Sequence, residues 1–214
     1  MHEVSYTPWE KRVCQLLILG IFFAMRSCKY LDTRYPEESK RTKILRLKNV
    51  VFKNKNGHIL KHTSSLSRLQ AADIIILTFE FQKNDWRNHS VHLWRTDDPL
   101  LCPVKAGARI VKEIWSYPKC TEEFKINTLL TEDGTITNIN SAQVLPHLRS
   151  IVDLIGETSL GFKSKDIGLY SIRSGGAMAM FQSRISTIII QQIGRWSSKV
   201  FLKYIREQVE SFSF

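Results

Sequence analysis

Apolar residues recur along this chain with two periods. From about Thr7 to Tyr30 they return at helical spacing, with Val13, Leu17, Gly20, Ile21 and Ala24 on one side, and Pro8 stands near the start; this predicts a helix. The period then changes. Ile44, Leu45, Leu47, Val50, Val51 and Phe52 predict strand structure, and Lys55-Asn56-Gly57 a turn. Ile74 to Phe81 is rich in β-formers, Gln82 to Asn88 turns the chain, and Ser90 to Arg95 returns it, which predicts a hairpin.

Downstream the pattern is again mostly helical. Pro99 and Pro103 open a helix through Val104, Ala108, Ile110, Val111, Ile114 and Trp115, stopped by Tyr117-Pro118. Ile126 to Ile139 is mixed, with a turn at Glu132-Asp133-Gly134. Ser141 is expected to cap a helix reaching about Gly156, with Pro146 as a potential kink. Asp166 is a candidate cap for the helix that carries Arg173, in which Gly175, Gly176 and Ala177 leave room for close packing or for a close ligand. Ser186 to Gln192 predicts a short apolar helix ended by Gly194. Ser197 and Ser198 are placed to cap a last helix through Val200, Phe201, Tyr204, Ile205 and Val209. The sum is a mixed α/β (α+β) chain, mainly helical, with a small antiparallel sheet at one edge.

Composition narrows the partners. The chain has 214 residues, 43% of them hydrophobic, and a net charge of +11. A basic excess of that size favours nucleic acid over membrane. From Ser39 to Ala72 no acidic residue occurs, while Lys40, Arg41, Lys43, Arg46, Lys48, Lys53, Lys55, Lys61 and Arg68 do. Such a run is either a solvated face or a surface laid along a phosphate backbone. The apolar run Leu16 to Met25 is too short to span a bilayer. Glu3 and Glu10 precede it and Arg26 follows directly, which argues for a buried helix rather than a leader or anchor. Cys14, Cys28, Cys102 and Cys120 show no paired spacing and read as reduced thiols of an intracellular protein. His58 and His62 lack a nearby third ligand, and His89 and His92 point to opposite faces of a strand, so no metal site is expected.

Several residues carry more specific chemistry. Tyr204 lies on or beside the buried face of the last helix; it is either a core tyrosine or a nucleophile. A phenol with a pKa near ~10 needs cations around the phosphate it attacks and an acid for the leaving oxygen. Arg26 ends the first apolar helix in Ala24-Met25-Arg26-Ser27-Cys28-Lys29. Arg173 stands in Tyr170-Ser171-Ile172-Arg173-Ser174-Gly175-Gly176. Trp196 follows Gly194-Arg195, and Phe201-Leu202-Lys203-Tyr204-Ile205-Arg206 closes the sequence of motifs. Taken singly, Arg26 is a snorkelling arginine and Lys83 a turn lysine.

Together these motifs resemble the catalytic domain of the tyrosine recombinases (phage integrase family), in wording closest to eukaryotic, Crypton-like transposon-borne members. The resemblance runs from about Tyr6 to Arg206 and implies the recombinase fold. It implies that Arg26 and Arg173 clamp a DNA phosphate, that Lys83 acts as general acid, with Lys53 and Lys55 as competitors, and that Tyr204 forms a 3′-phosphotyrosine. Trp196 stands where the family has His or Trp, and Tyr170 where it usually has His. Lys29 replaces an acid that many members carry. Lys43, Arg46, Lys48, Lys53, Lys55 and Arg195 are the expected DNA-binding cations. The resemblance implies no cofactor, ATP or metal ion, and double-stranded DNA as partner. It also implies self-association into a dimer or tetramer on that DNA, no membrane, and a nuclear location if the host is eukaryotic. It implies that residues 1–214 form one catalytic domain without the family's separate N-terminal clamp. Two other readings stay open: a non-catalytic DNA-binding remnant of a recombinase, and a type IB topoisomerase-like enzyme.

Overall fold

The computed structural model describes residues 6–33, 43–81, 87–198 and 201–202. Helix α1 (Pro8–Phe22) begins with a reciprocal cap: Glu10 N donates to Thr7 Oγ1 at 3.2 Å, and Thr7 N donates to the Glu10 carboxylate at 2.8 Å. It ends well short of Tyr30. Ala24 adopts a left-handed φ of 42°, and Met25 N donates to Gly20 O at 2.8 Å while Ala24 N donates to Ile21 O at 3.1 Å. This is a Schellman ending with alanine where glycine is usual. It sets Arg26 beyond the helix, ahead of a single 3₁₀ turn, Ser27–Lys29.

Four antiparallel strands follow, β1 (Val50–Lys53), β2 (Ile59–Leu60), β3 (Ile74–Phe81) and β4 (Arg87–Trp94), in the order β2-β1-β3-β4. The expected turn between β1 and β2 is present, with Gly57 at φ 79°. β3 and β4 form the expected hairpin in a register that faces Phe79 to His89 and Ile76 to His92. Between β2 and β3 lies a short helix, α2 (Leu66–Gln70), that the apolar pattern did not announce; Ser65 caps it.

Helix α3 (Pro103–Trp115) crosses the sheet as its proline and apolar spacing predict. Gly107 brings it so close that a Cβ there would overlap Ile75. The main core joins Phe52, Ile75, Leu77 and Phe79 of the sheet to Val104, Ala108 and Val111 of α3 and to Leu16, Leu19 and Phe23. Each of the larger side chains contributes about 1.5–3 kcal/mol by leaving water. Arg12 lies inside this region, paired with Glu113 at 2.9 Å and bonded to the carbonyls of Ile126 and Thr128, so it fastens α1 to the next hairpin.

That hairpin is β5 (Thr128–Leu130) and β6 (Ile136–Asn138), turned through Gly134 at φ 82°. α4 (Ser141–Ile155) is capped by Asn140 rather than Ser141, in a reciprocal pair with Gln143; Pro146 lies inside the helix. After α5 (Glu157–Leu160) comes α6 (Leu169–Gln182), whose N-cap is Gly168 and not Asp166; Asp166 instead accepts from Lys163 N at 3.1 Å. α7 (Thr187–Gly194) is capped by Ser186. α6 lies against α1 at Gly176, where a Cβ would overlap the backbone of Ile21, whereas Gly175 faces open space. A second small core gathers Ala24, Ala177, Ile190, Trp196 and Phe201. The architecture is therefore mixed α/β, mainly helical, with a small antiparallel sheet. No helix among the described residues is long and apolar enough to cross a membrane.

Candidate functional site: a buried arginine cluster

Three stretches distant in sequence converge beneath the end of β3. The turn after α1 brings Arg26, α6 brings Arg173, and the residues after α7 bring Arg195 and Trp196. Arg173 is 1% exposed; its Nη2 donates to Gly194 O at 2.6 Å, and its guanidinium lies 4.3 Å from the Trp196 ring centre. Trp196 is itself buried and tilts against Phe201 at 5.4 Å. Gly194 makes this possible, because any Cβ there would occupy the space of the Trp196 ring.

Arg195 was expected among the DNA-contacting cations, yet it is 3% exposed. Its own backbone explains the burial: φ of 56° turns the chain inward at the end of α7. Nη1 donates to Phe23 O at 3.1 Å and Ile193 O at 2.6 Å, and the guanidinium stacks 3.7 Å from the Phe79 ring centre. Burial first, then Arg173, then Arg26, pull Arg195 well below the ordinary arginine range. A guanidinium keeps its proton inside proteins. The shift therefore expresses how unfavourably these positive charges share one low-dielectric space, which is also how strongly they favour an anion. Arg26 is half-buried at the edge of the cluster, and its side chain makes no hydrogen bond or ion pair among the described residues.

Lys29 belongs to the same group and was missed as a site residue. It is buried, and its Nζ donates to the carbonyls of Phe81 and Lys43. It sits directly before the buried Tyr30 and Leu31, but its inward turn is set by carbonyls distant in the sequence, which no local pattern records. His89 was considered only as a metal ligand. It lines a groove of about 620 Å³ between β4 and α7, together with Trp196 and Gln191. Burial and then Arg195 hold its pKa below the ordinary histidine value, which favours the neutral ring. Tyr170, in the first turn of α6, is 46% exposed. Lys83 and Tyr204 lie outside the described residues.

The surface cations are placed differently. Arg46 pairs with Glu123 at 3.2 Å, and Lys48 with Glu123 at 2.8 Å and Glu80 at 3.4 Å. Hydrogen bonding to Glu123 raises the Lys48 pKa, and the same bond lowers that of Glu123. Lys43 is exposed, its Nζ 4.7 Å from the Phe81 ring centre. Lys53 is half-buried and Lys55 exposed. His62 is occupied by a bond to Val50 O at 2.7 Å, and among the described residues no three His, Cys, Asp or Glu side chains gather as metal ligands would.

Chemically, the cluster offers forked donors and fixed positive charge beside a groove, the equipment for holding a phosphate-like oxyanion. A scan against models of known protein families finds none that matches this chain, and a search of curated proteins finds none that matches it either.

Proposed function

We propose that this chain is a DNA strand-transferase of the tyrosine recombinase kind, cutting and rejoining duplex DNA without metal ion or ATP, as in integration or recombination of a mobile element. The observation that carries this reading is the meeting of Arg26, Arg173 and Trp196, from three separate stretches, around one buried cationic site. Those residues were picked from sequence motifs, and nothing in their spacing requires them to be neighbours.

In this proposal Arg26 and Arg173 hold the non-bridging oxygens of the scissile phosphate, with Trp196 packed against Arg173. The Tyr204 phenol gives up its proton to water as its oxygen attacks phosphorus, and the bond to the 5′ oxygen breaks. Lys83 gives its proton to that oxygen, so a 5′ hydroxyl leaves while the 3′ end stays on Tyr204 as a phosphodiester. The reverse attack by a new 5′ hydroxyl rejoins the strand. Because the phosphodiester bond energy is retained, no nucleotide is consumed. Exchange between two duplexes needs several active sites, so the chain would work as a dimer or tetramer on DNA.

The covalent step is the sharpest test. In the presence of chelator, nicked duplex DNA should form a denaturation-resistant adduct with the chain. Mass spectrometry should place it on Tyr204, and Tyr204→Phe should abolish it while DNA binding stays nearly intact. A leaving group that needs no proton, a 5′-bridging phosphorothiolate, should rescue Lys83→Ala but not Arg173→Ala. An adduct that survives Tyr204→Phe sinks the assignment. Binding with no adduct, even when a helical clamp domain is fused to the chain, would leave a DNA-binding remnant.

A further inference from the structure

Lys29 is the fourth cation of the cluster, and the reaction proposed above does not use it. It closes the 3₁₀ turn that begins after Arg26. Its side chain turns inward and is 3% exposed. Nζ donates to the carbonyl of Phe81 at the end of β3 and to that of Lys43 at 3.3 Å. It stands 6.0 Å from the centre of the Phe79 ring, on which Arg195 also rests. One ammonium thus ties the end of β3 and the segment starting at Lys43 to the turn that carries Arg26. Burying a lysine is expensive, and a methionine of similar length would pack without that cost. What the methionine lacks is the charge and the two donors.

We propose that Lys29 is a positioning residue of the anion site: its ammonium holds the Arg26 turn against the end of β3 and adds a positive charge that a bound oxyanion reads. The inference rests on the cluster being a phosphate site, not on Tyr204 being a nucleophile. The charged and titratable neighbours among the described residues are five. Arg26 and Cys28 share its turn, Arg195 approaches from the end of α7, Glu80 from β3, and Lys43 across the Phe81 ring. Burial, opposed by Cys28 and Glu80 and reinforced by Arg195 and Arg26, pulls the Lys29 pKa to about 8.

The sign of the linkage gives the inference its signature. The folded pKa is depressed from 10.5 to about 8, so between those values the unfolded chain binds the extra proton. Stability attributable to Lys29 therefore rises as pH climbs through that window. Anion affinity moves the other way, because the charge that attracts the anion is lost. A lysine that served folding alone would show the first trend and not the second.

The test uses sulfate, whose charge is constant over the range, at ionic strength matched with chloride. All proteins carry Cys28→Ser so that no neighbouring thiol titrates. Sulfate-induced thermal stabilisation, read as affinity, should weaken about tenfold from pH 7 to pH 9.5, the scale of one nearby charge in a partly buried site. Lys29→Met should bind sulfate about tenfold more weakly at pH 7 and lose the pH dependence. Lys29→Arg should keep the neutral-pH affinity and hold it at pH 9.5. If Lys29→Met folds poorly, Lys29→Arg alone decides: a pH step that persists with arginine in place overturns the inference. So does a Lys29→Met protein with wild-type sulfate binding, and so does a wild-type protein that sulfate never stabilises. A missing Tyr204 adduct alongside the expected sulfate results would remove the strand-transfer reading and leave this one standing.

Discussion

Arg46 and Lys48 come from the cation-dense, acid-free stretch Ser39 to Ala72; Arg173 and Arg195 come from a second acid-free stretch, Ile167 to Arg206, in which cations are sparser. In the fold the two pairs exchange characters. Glu80 and Glu123, which lie outside the Ser39–Ala72 window, reach the first pair and partly cancel it. The second pair is buried, and the bonds to Gly194, Phe23 and Ile193 all go to neutral carbonyls. The density of cations along the sequence is therefore a poor guide to where a positive site lies. What concentrates charge here is burial, because removing water both raises the cost of each cation and sharpens its preference for an anion.

The comparison breaks most easily at Gly194. Gly194→Ala puts a Cβ into the Trp196 ring, so the ring must leave its place against Arg173. The expected loss is about 3 kcal/mol in urea unfolding, together with the anion site. Wild-type stability in that variant would show that the buried region is not assembled as described. Arg173→Lys comes next. It keeps the charge and loses the fork, so adduct formation should fall on the order of a hundredfold, while Arg46→Lys changes it less than about twofold. Equal effects would erase the distinction between the two regions.

Gly176 and Gly175 sharpen the picture at a smaller scale. Gly176→Ala must push α6 off Ile21 and should cost about 1–3 kcal/mol. Gly175→Ala meets only open space and should stabilise by about 0.5–1 kcal/mol through helix propensity. A Gly175→Ala protein that is more stable but binds DNA several-fold worse would place the duplex against that turn of α6. The smallest effect is expected at the surface. Glu123→Gln releases Lys48 and Arg46, so duplex affinity at low salt should rise by about twofold. Lys48, then Arg46, hold the Glu123 carboxyl below its usual value of 4.5. The stability it contributes is thus present above that pH and lost on acidifying through the folded value. An affinity unchanged by Glu123→Gln would mean that the surface pairs do not limit binding.

Much of the fold was legible because its signals are local. The β3–β4 hairpin, the span of α3, the turns at Gly57 and Gly134 and the short apolar helix α7 follow from alternation, proline placement and glycine conformation. What escaped depends on distant neighbours. α1 stops early because Ala24 takes a conformation that a lone alanine disfavours by about 1–2 kcal/mol. Its burial with Ala177, Ile190, Trp196 and Phe201 offsets that cost, and no periodicity near residue 24 records those partners. Asn140 displaces Ser141 as a cap by finding Gln143 at the right spacing, and Gly168 displaces Asp166 because the aspartate is already engaged with Lys163. In the site, Arg26, Arg173 and Trp196 were singled out in advance. The burial of Arg195 and the inward turn of Lys29 were not, since each is decided by a carbonyl far away in the chain. The ion pairs of Arg46 and Lys48 escaped for the same reason, since Glu80 and Glu123 lie outside the stretch that holds the two cations.

The carbonyls that receive Arg195 end two helices, α1 at Phe23 and α7 at Ile193. A carboxylate would have solvated this cation equally well, but the far-field result differs. A dipole fades with distance faster than a charge does. Seen from an ångström or two the carbonyls are strong partners; seen from a Debye length of about 8–10 Å they contribute little, and the positive potential remains. An approaching polyanion would meet that potential before it meets any side chain, so the helix ends bear on encounter as well as on grip. Association should then be fast in dilute salt and slow steeply as ions are added, while dissociation, governed by close contacts, changes much less.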